Sequence, residues 1–305
     1  MATKPSTVNE WIKQALRAEP PRSKSLIVTV FGDAIAPNSD GLWLSELINL
    51  LKPFHINERL VRTSSFRLIE EGWLESRRDG RRSRYVLTEF GKEQLAHAHT
   101  RIYDPPPKEW DGNWTLVILS KDGNAVPERI ELRRELEWEG FGLLAPNIFL
   151  HPAPDQAALD AKLAQVELSE RAVVLHASDS DLRNARPLST LVTECWSLDD
   201  VAERFHQFVN RFQALDTILS TNPILEPQAA FVAQTLLIHA YRRTTLHDPR
   251  LPTKMLPASW LGQAAYELCR RIYALTRDST HKFVAERLSD ASQPIGTRGR
   301  FGSKA

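Results

Sequence analysis

The sequence predicts an α+β protein of several domains: an N-terminal winged helix-turn-helix, a middle ferredoxin-like domain and a C-terminal helical domain. Three observations carry this reading. Residues 41–88, GLWLSELINLLKPFHINERLVRTSSFRLIEEGWLESRRDGRRSRYVLT, read as two short helices around a turn, followed by a strand–Asp-Gly–strand hairpin. Residues 113–176 follow a β-α-β-β-α-β order. From Ser197 onward, apolar residues recur at helical spacing. The expected boundaries are 22–100, 112–180 and 195–288, with flexible tails at 1–21 and 289–305.

Residues 1–22 are polar, contain Pro20-Pro21 and are expected to form a loose arm. Leu26 to Phe31 is apolar enough for a first helix ending at Gly32. Leu42, Trp43, Leu44, Leu47, Ile48 and Leu51 give the next helix, with Asp40 placed to cap it and Pro53 to stop it. The following helix starts near Asn57, a good N-cap residue, and ends before Gly72. At 100° per residue, Leu60, Val61, Ser64 and Leu68 share one face, and Arg59, Arg62, Thr63 and Phe66 the other. Trp73–Arg77 and Ser83–Leu87 alternate like strands around Asp79-Gly80. A helix from Glu89 to His99 closes the domain, and the three consecutive prolines after Asp104 favour a stiff extended linker.

In the middle region, Trp114–Leu119 reads as a buried strand and Pro127–Glu139 as an amphipathic helix with Pro at its start. Gly140 to His151 offers a hairpin or two short strands, Asp155–Leu168 a helix and Ala172–His176 a last strand. Three long helices are expected beyond: Leu198–Ser220, Glu226–Leu246, and Trp260–Thr276 continuing past His281. Ser289–Ala305 is a Gly/Ser/Arg tail expected to be disordered.

A helix that fits a major groove beside a basic hairpin is suited to duplex DNA. Residues 76–84 hold five arginines against one Asp. Arg59, Arg62, Thr63 and Arg67 are placed to meet bases or phosphates from the helix, because arginine pairs bidentately with guanine and grips phosphate. Arg77, Arg78, Arg81, Arg82 and Arg84 of the hairpin are placed for phosphate or minor groove, giving salt-dependent affinity. A solvated basic face is the bland alternative. The positive charge is local: residues 1–100 carry 15 Lys and Arg against 12 Asp and Glu, and the net charge of the whole chain is only +1.

Composition narrows the class. At 305 residues and 42% hydrophobic, the chain can bury two or three cores. Two cysteines, Cys195 and Cys269, are too few for a disulfide framework or a metal site, which points to a reducing cytoplasm. No signal-peptide pattern or membrane-spanning run is read. His97 and His99 stand without further ligands in metal spacing, and Gly140-x-Gly142 reads as a turn rather than a phosphate loop. Catalysis, a metal and a bound cofactor are therefore not expected.

Two further stretches carry a family resemblance: Ser25–Gly32 (SLIVTVFG), and Ile238–Gly262 (IHAYRRTTLHDPRLPTKMLPASWLG) followed by Leu268-Cys-Arg-Arg-Ile-Tyr273. Over residues 22–285 the chain resembles the PaaX family of bacterial repressors, which control phenylacetic acid degradation operons. The resemblance implies a dimeric repressor with a winged helix-turn-helix and a middle domain similar to the small CRISPR-associated nucleases. It also implies a helical C-terminal domain and release from an inverted-repeat operator by phenylacetyl-CoA. The nuclease relatives hold a metal through an Asp at the end of the first strand. Here that strand ends Leu119-Ser120-Lys121, with Asp122 beyond, so nuclease activity is not expected.

In the C-terminal stretch, His239, Tyr241, Arg242, Arg243 and Trp260 are candidates to bind the acyl-CoA. Arginines beside an aromatic suit its phosphates and aryl group. Arg250, Lys254 and Tyr266 lie near in sequence. The same residues also read as structural, with Arg242 paired to Asp248, Trp260 in a core and His239 a satisfied core histidine. Repression and activation are equally compatible with these residues. A residual nuclease, a CoA-ester hydrolase and a scaffold that uses the winged fold for protein contacts are the rival readings.

Overall fold

The computed structural model describes residues 5–36, 39, 41–119, 126–165, 172–178, 187–222, 224–289 and 300–302. They divide into one unit of residues 1–104, 207–243 and 264–305, and a second of residues 105–206 and 244–263. The C-terminal helices do not form a unit of their own, because their apolar faces complete the core of the N-terminal region.

In the first unit, α1 (Val8–Ala18) begins at Thr7, whose hydroxyl accepts from Glu10 N at 3.2 Å. It buries Trp11, Ile12, Ala15 and Leu16. The segment expected to be a loose arm is thus a packed helix. Its partner is α9 (Leu198–Thr221), where Arg211 O accepts from the Trp11 indole and Phe212 lies 5.3 Å from its ring.

Helix α2 (Ser23–Val30) does not end at Gly32 but widens into a π-helical turn over Phe31–Ile35, closed by Ala36 N donating to Phe31 O. β1 (Gly41–Trp43) follows, where the sequence predicts helix, and α3 runs over Leu44–Leu51. The cause is long-range: β1 pairs with Arg84–Val86, which local spacing does not reveal. Glu46 accepts from Trp43 N at 2.8 Å at the start of α3, and Asp40 lies outside the described residues. Pro53 sits in a 3₁₀ turn, Lys52–Phe54.

Next come α4 (Glu58–Glu70), β2 (Leu74–Asp79), β3 (Arg82–Leu87) and α5 (Glu89–Tyr103), the strands forming an antiparallel sheet of order β1-β3-β2. α10 (Pro227–Thr245) and α11 (Gly262–Ala285) complete the unit. Every residue from Ala229 to His239 is buried, so α10 is buried on all sides and central. Residues 300–302, placed in the disordered tail by the sequence, form a turn in which Arg300 and Phe301 are buried.

The second unit contains β4 (Asn113–Leu119), α6 (Val126–Trp138), β5 (Gly142–Ala145), β6 (Ile148–His151), α7 (Gln156–Gln165) and β7 (Ala172–Ser178). This is the predicted β-α-β-β-α-β order, and the antiparallel sheet runs β5-β6-β4-β7. Alternation along β4 sends Val117 and Leu119 towards Leu132, Leu136, Leu159 and Leu163 of α6 and α7. Trp114 and Leu116 face the other way, onto α8 (Leu188–Cys195) and the 251–256 segment. Helix α8 was not predicted.

Candidate nucleic-acid interface

Asn57 Oδ1 accepts from Leu60 N at 2.9 Å and starts α4. At its other end Gly72, with φ 75°, closes a Schellman turn: Trp73 N donates to Leu68 O and Gly72 N to Ile69 O. Val61, Ser64, Ser65 and Leu68 are buried. Leu60, expected on that face, is 47% exposed, and Ser65 takes its place in the core. Small residues are needed there because α2 crosses closely, with the Ser23 and Ser64 hydroxyls 2.6 Å apart.

Arg59, Arg62, Thr63, Phe66 and Arg67 are all exposed. Arg62 holds Glu58 at 2.6 Å on the same helix, and among the described residues Arg59 and Arg67 have no ion-pair partner. An exposed i,i+4 pair contributes only about 0.3–0.5 kcal/mol, so Arg62 can exchange Glu58 for a phosphate or a guanine at small cost.

The hairpin turns at Gly80-Arg81, one residue later than Asp79-Gly80, because Asp79 pairs with Arg82. Only Gly80 of the two has positive φ, 57°, as in a type II′ turn, which takes glycine first. Arg77 stands opposite Arg84, a like-charge pair eased by Glu75 at 2.6 Å from Arg77. The Arg82 guanidinium lies 4.2 Å from the Trp43 ring centroid, and Arg84 reaches Ser39 Oγ at 3.4 Å. Arg78 and Arg81 are exposed and have no ion-pair partner among the described residues. Burial raises the Tyr85 hydroxyl pKa and the Arg62 charge opposes it. The nine predicted DNA-contacting residues therefore lie on one helix and the hairpin that follows it.

The candidate effector residues belong to two units, His239, Tyr241, Arg242 and Arg243 to the first and Trp260 to the second. Tyr241 is buried with its ring 5.2 Å from Phe208. His239 Nδ1 lies 3.1 Å from Thr29 Oγ1 of α2, and burial first, then Arg242, Arg243 and Arg211, push its pKa down to about 3. Arg242 donates to Ser25 O and Oγ at 3.1 and 2.7 Å. Burial and the Arg243 charge lower Arg242 to about 10, so it keeps its charge at neutral pH. Arg243 pairs with Glu19 of the α1 C-terminus at 2.9 Å, and Arg211 joins the same carboxylate. Trp260 belongs to the second unit, 5.4 Å from Phe205, whereas Tyr266 belongs to the first and donates to Tyr103 O.

Sequence reading missed a cavity of about 380 Å³ within the second unit, walled by Phe141, Trp196, Leu198 and Val201 with Arg133 and His247 at polar positions. The Trp196 indole is oriented by donating to Gly140 O at 2.8 Å, and His151 Nε2 lies 2.9 Å from Pro249 O. Cys195 also lines it, and burial and Glu194 push its thiol up to about 11. The elements that frame this cavity are distant in sequence, so no local motif marks it. Among the described residues no group of three His, Cys, Asp or Glu is placed to hold a metal ion, and no helix is long and apolar enough to cross a membrane. Asp122 lies outside the described residues.

Comparison with known proteins matches most of the chain. Residues 22–91 match PaaX-like protein, residues 107–189 the PaaX protein central Cas2-like domain, and residues 196–286 the PaaX-like protein C-terminal domain. The solved structure of uncharacterized protein Rv0674 from Mycobacterium tuberculosis is 24% identical, with TM-score 0.48 over 77% of this chain and 90% of that one. The transcriptional repressor PaaX of Escherichia coli (strain K12) is 34% identical over 283 residues, 92% of this chain and 89% of the relative. With that identity across nearly all of both proteins, the chain belongs to the PaaX family, whose characterised relative is a transcriptional repressor and not an enzyme.

Proposed function

We propose that this protein is a transcriptional repressor whose N-terminal winged helix-turn-helix reads duplex operator DNA, and that phenylacetyl-CoA releases it. The observation that supports this most is the exposed row of Arg59, Arg62 and Arg67 on α4 beside the arginines of the β2–β3 hairpin. α4 enters the major groove, Arg59, Arg62 and Thr63 meet base edges, and Arg67 and the hairpin arginines grip phosphate. An inverted-repeat operator calls for a two-fold protein, so the repressor is a homodimer. Its control of a phenylacetate catabolic operon rests on the family.

The effector needs an apolar wall for its aryl group and cations for its phosphates. The cavity of the second unit offers Phe141 and Trp196 for the first and, for the second, Arg133, which would exchange its exposed partner Glu137 at 2.7 Å for a phosphate. His239, Tyr241 and Arg242 then act indirectly, by fixing α10 against α2, and Arg243 through α1. Release requires that phenylacetyl-CoA bind the DNA-incompetent arrangement better. Moving a 1:99 population to 99:1 takes about 5.5 kcal/mol of such preference.

The test is fluorescence anisotropy on DNA from upstream of the protein's own gene, at fixed salt, titrated with phenylacetyl-CoA, acetyl-CoA and phenylacetate. Tight binding undone only by phenylacetyl-CoA is the expected result. Binding indifferent to all three removes the effector, and no binding removes the repressor reading.

A further inference from the structure

The first unit contains a ready-made seat for a guanidinium followed by an aromatic ring, and the chain fills it with its own C-terminal residues. Asp33, in the π-helical turn after α2, accepts from Tyr103 Oη at 2.7 Å, from Gln234 Nε2 at 2.8 Å and from Tyr273 Oη at 3.3 Å. Arg300 completes the set. Its Nη1 lies 3.1 Å from Asp33 Oδ1 and also donates to Asp33 O and to Tyr273 Oη, while Nη2 donates to Gly32 O at 2.7 Å. Its guanidinium carbon stands 4.8 Å from the Tyr103 ring centroid. Such a planar fork is matched by arginine and not by lysine.

Phe301 then fits among three tyrosine rings, with centroids 5.2 Å from Tyr103, 5.6 Å from Tyr266 and 5.1 Å from Tyr273. Its φ of 50° lies in the left-handed region, which a phenylalanine adopts only where its surroundings hold it. A second contact joins the same end of the chain to the DNA-reading helices. Ser289 N donates at 2.8 Å to Glu46 Oε1, and the other oxygen of Glu46 caps α3 through Trp43 N.

We propose that Arg300 and Phe301 form a latch: they occupy an arginine–aromatic receptacle built by α2, α5, α10 and α11, and its occupancy holds α2 and α3, and with them α4, in the DNA-binding arrangement. The receptacle recognises a short Arg-aromatic peptide segment, and the native occupant is the 300–301 segment of the same chain.

The experiment compares the full chain with one ending at Ser289, using a duplex from upstream of its own gene and a fluorescein-labelled peptide of residues 297–305. The expected result is that the shortened chain keeps its far-UV circular dichroism and binds the peptide saturably. It should also bind DNA at least about tenfold more weakly until the peptide is added. A peptide carrying Arg300→Lys should bind at least about tenfold more weakly than the native one. A shortened, folded chain that binds DNA as the full chain does, or that ignores the peptide, overturns the proposal. Should the shortened chain lose its secondary structure, hydrogen exchange on the full-length Arg300→Lys and Phe301→Ala proteins decides. Faster exchange at residues 31–35 and 100–103 is expected, and unchanged exchange in both variants rejects the latch.

Discussion

Arg300 and Asp33 form an ion pair at 3.1 Å whose side chains are only 4% and 3% exposed, although 267 positions separate them in the chain. Breaking a buried pair by removing one member typically costs about 3–5 kcal/mol, because the other charge is left in the core. The two members are not equivalent here. Asp33→Ala strands Arg300, Tyr103 and Gln234 together, whereas Arg300→Met leaves Asp33 with Tyr103 and Gln234 as donors. Asp33→Ala is therefore the more destabilising change, with a cost near the upper part of that range. Urea unfolding of the two variants measures the order, and a larger cost for Arg300→Met would show that the carboxylate is not the hub.

Buried His239 makes stability depend on acidity. Its pKa falls from 6.5 to about 3 in the folded chain, chiefly through burial and then through Arg242, Arg243 and Arg211. Unfolded chains take up this proton near the ordinary value and folded chains only near the lowered one. Between the two the unfolded state holds more protons, so stability is fully present above pH 6.5 and is lost as pH falls towards about 3. His99 and His281, both lowered first by burial, act in the same direction. The slope from a single such group approaches about 1.4 kcal/mol per pH unit. Replacing His239 with Gln should flatten the fall between pH 6 and pH 4 by most of one such slope (of order 1 kcal/mol per unit) in denaturant melts. An unaltered profile would assign the acid sensitivity elsewhere.

These two sites also mark how far sequence reading reaches. Asn57 and Gly72 announce α4 because capping and left-handed closure are local events, and residues within five positions settle them. The alternation of Trp114–Leu119 is local in the same way. β1 was read as helix because its strand character comes from pairing with Arg84–Val86, forty residues on. The amphipathic face of α1 was present at Trp11, Ile12, Ala15 and Leu16, but its worth depends on Phe212. Residues 300–302 look like low-complexity tail until Asp33, Tyr103 and Tyr273 supply their surroundings. The exposure of the arginines on α4 and the hairpin turn was legible because exposure there is what the helical and strand periods leave over. The burial of His239 and Tyr241 was not, since chemical suitability says nothing about which side chains a helix buries.

Arg62 and the hairpin arginines should separate in their effects on DNA. Arg62 lies on α4, where an arginine pairing bidentately with guanine contributes about 1–3 kcal/mol of discrimination. Arg62→Ala should therefore weaken operator binding more than binding to random DNA. Arg81→Ala combined with Arg82→Ala should weaken both alike and lower the salt slope of log K by about 2, if each side chain neutralises one phosphate. Arg82 also stacks on Trp43, so melting of the double variant must be checked alongside. Equal losses on specific and random DNA from Arg62→Ala would move that residue from base reading to phosphate holding.

Cys195 provides a direct probe of the cavity in the second unit. It lines the wall and is partly exposed, whereas Cys269 is fully buried in the first unit, so a soluble thiol reagent discriminates between them. Burial and the neighbouring Glu194 push the Cys195 thiol up to about 11, so thiolate is only about one part in 10⁴ at pH 7. That makes it a poor nucleophile towards a bound thioester and a slow target for alkylation. Labelling with N-benzylmaleimide at pH 8.5, followed by mass spectrometry of the Cys195 peptide, should proceed over hours in the free protein. Phenylacetyl-CoA should slow it at least about tenfold at saturation, as occupancy above 90% requires, while phenylacetate should not. Once labelled, the benzyl group fills the space between Phe141 and Trp196, and the protein should still bind DNA but no longer be released by phenylacetyl-CoA. Release that persists after labelling would place the effector elsewhere while leaving the repressor intact.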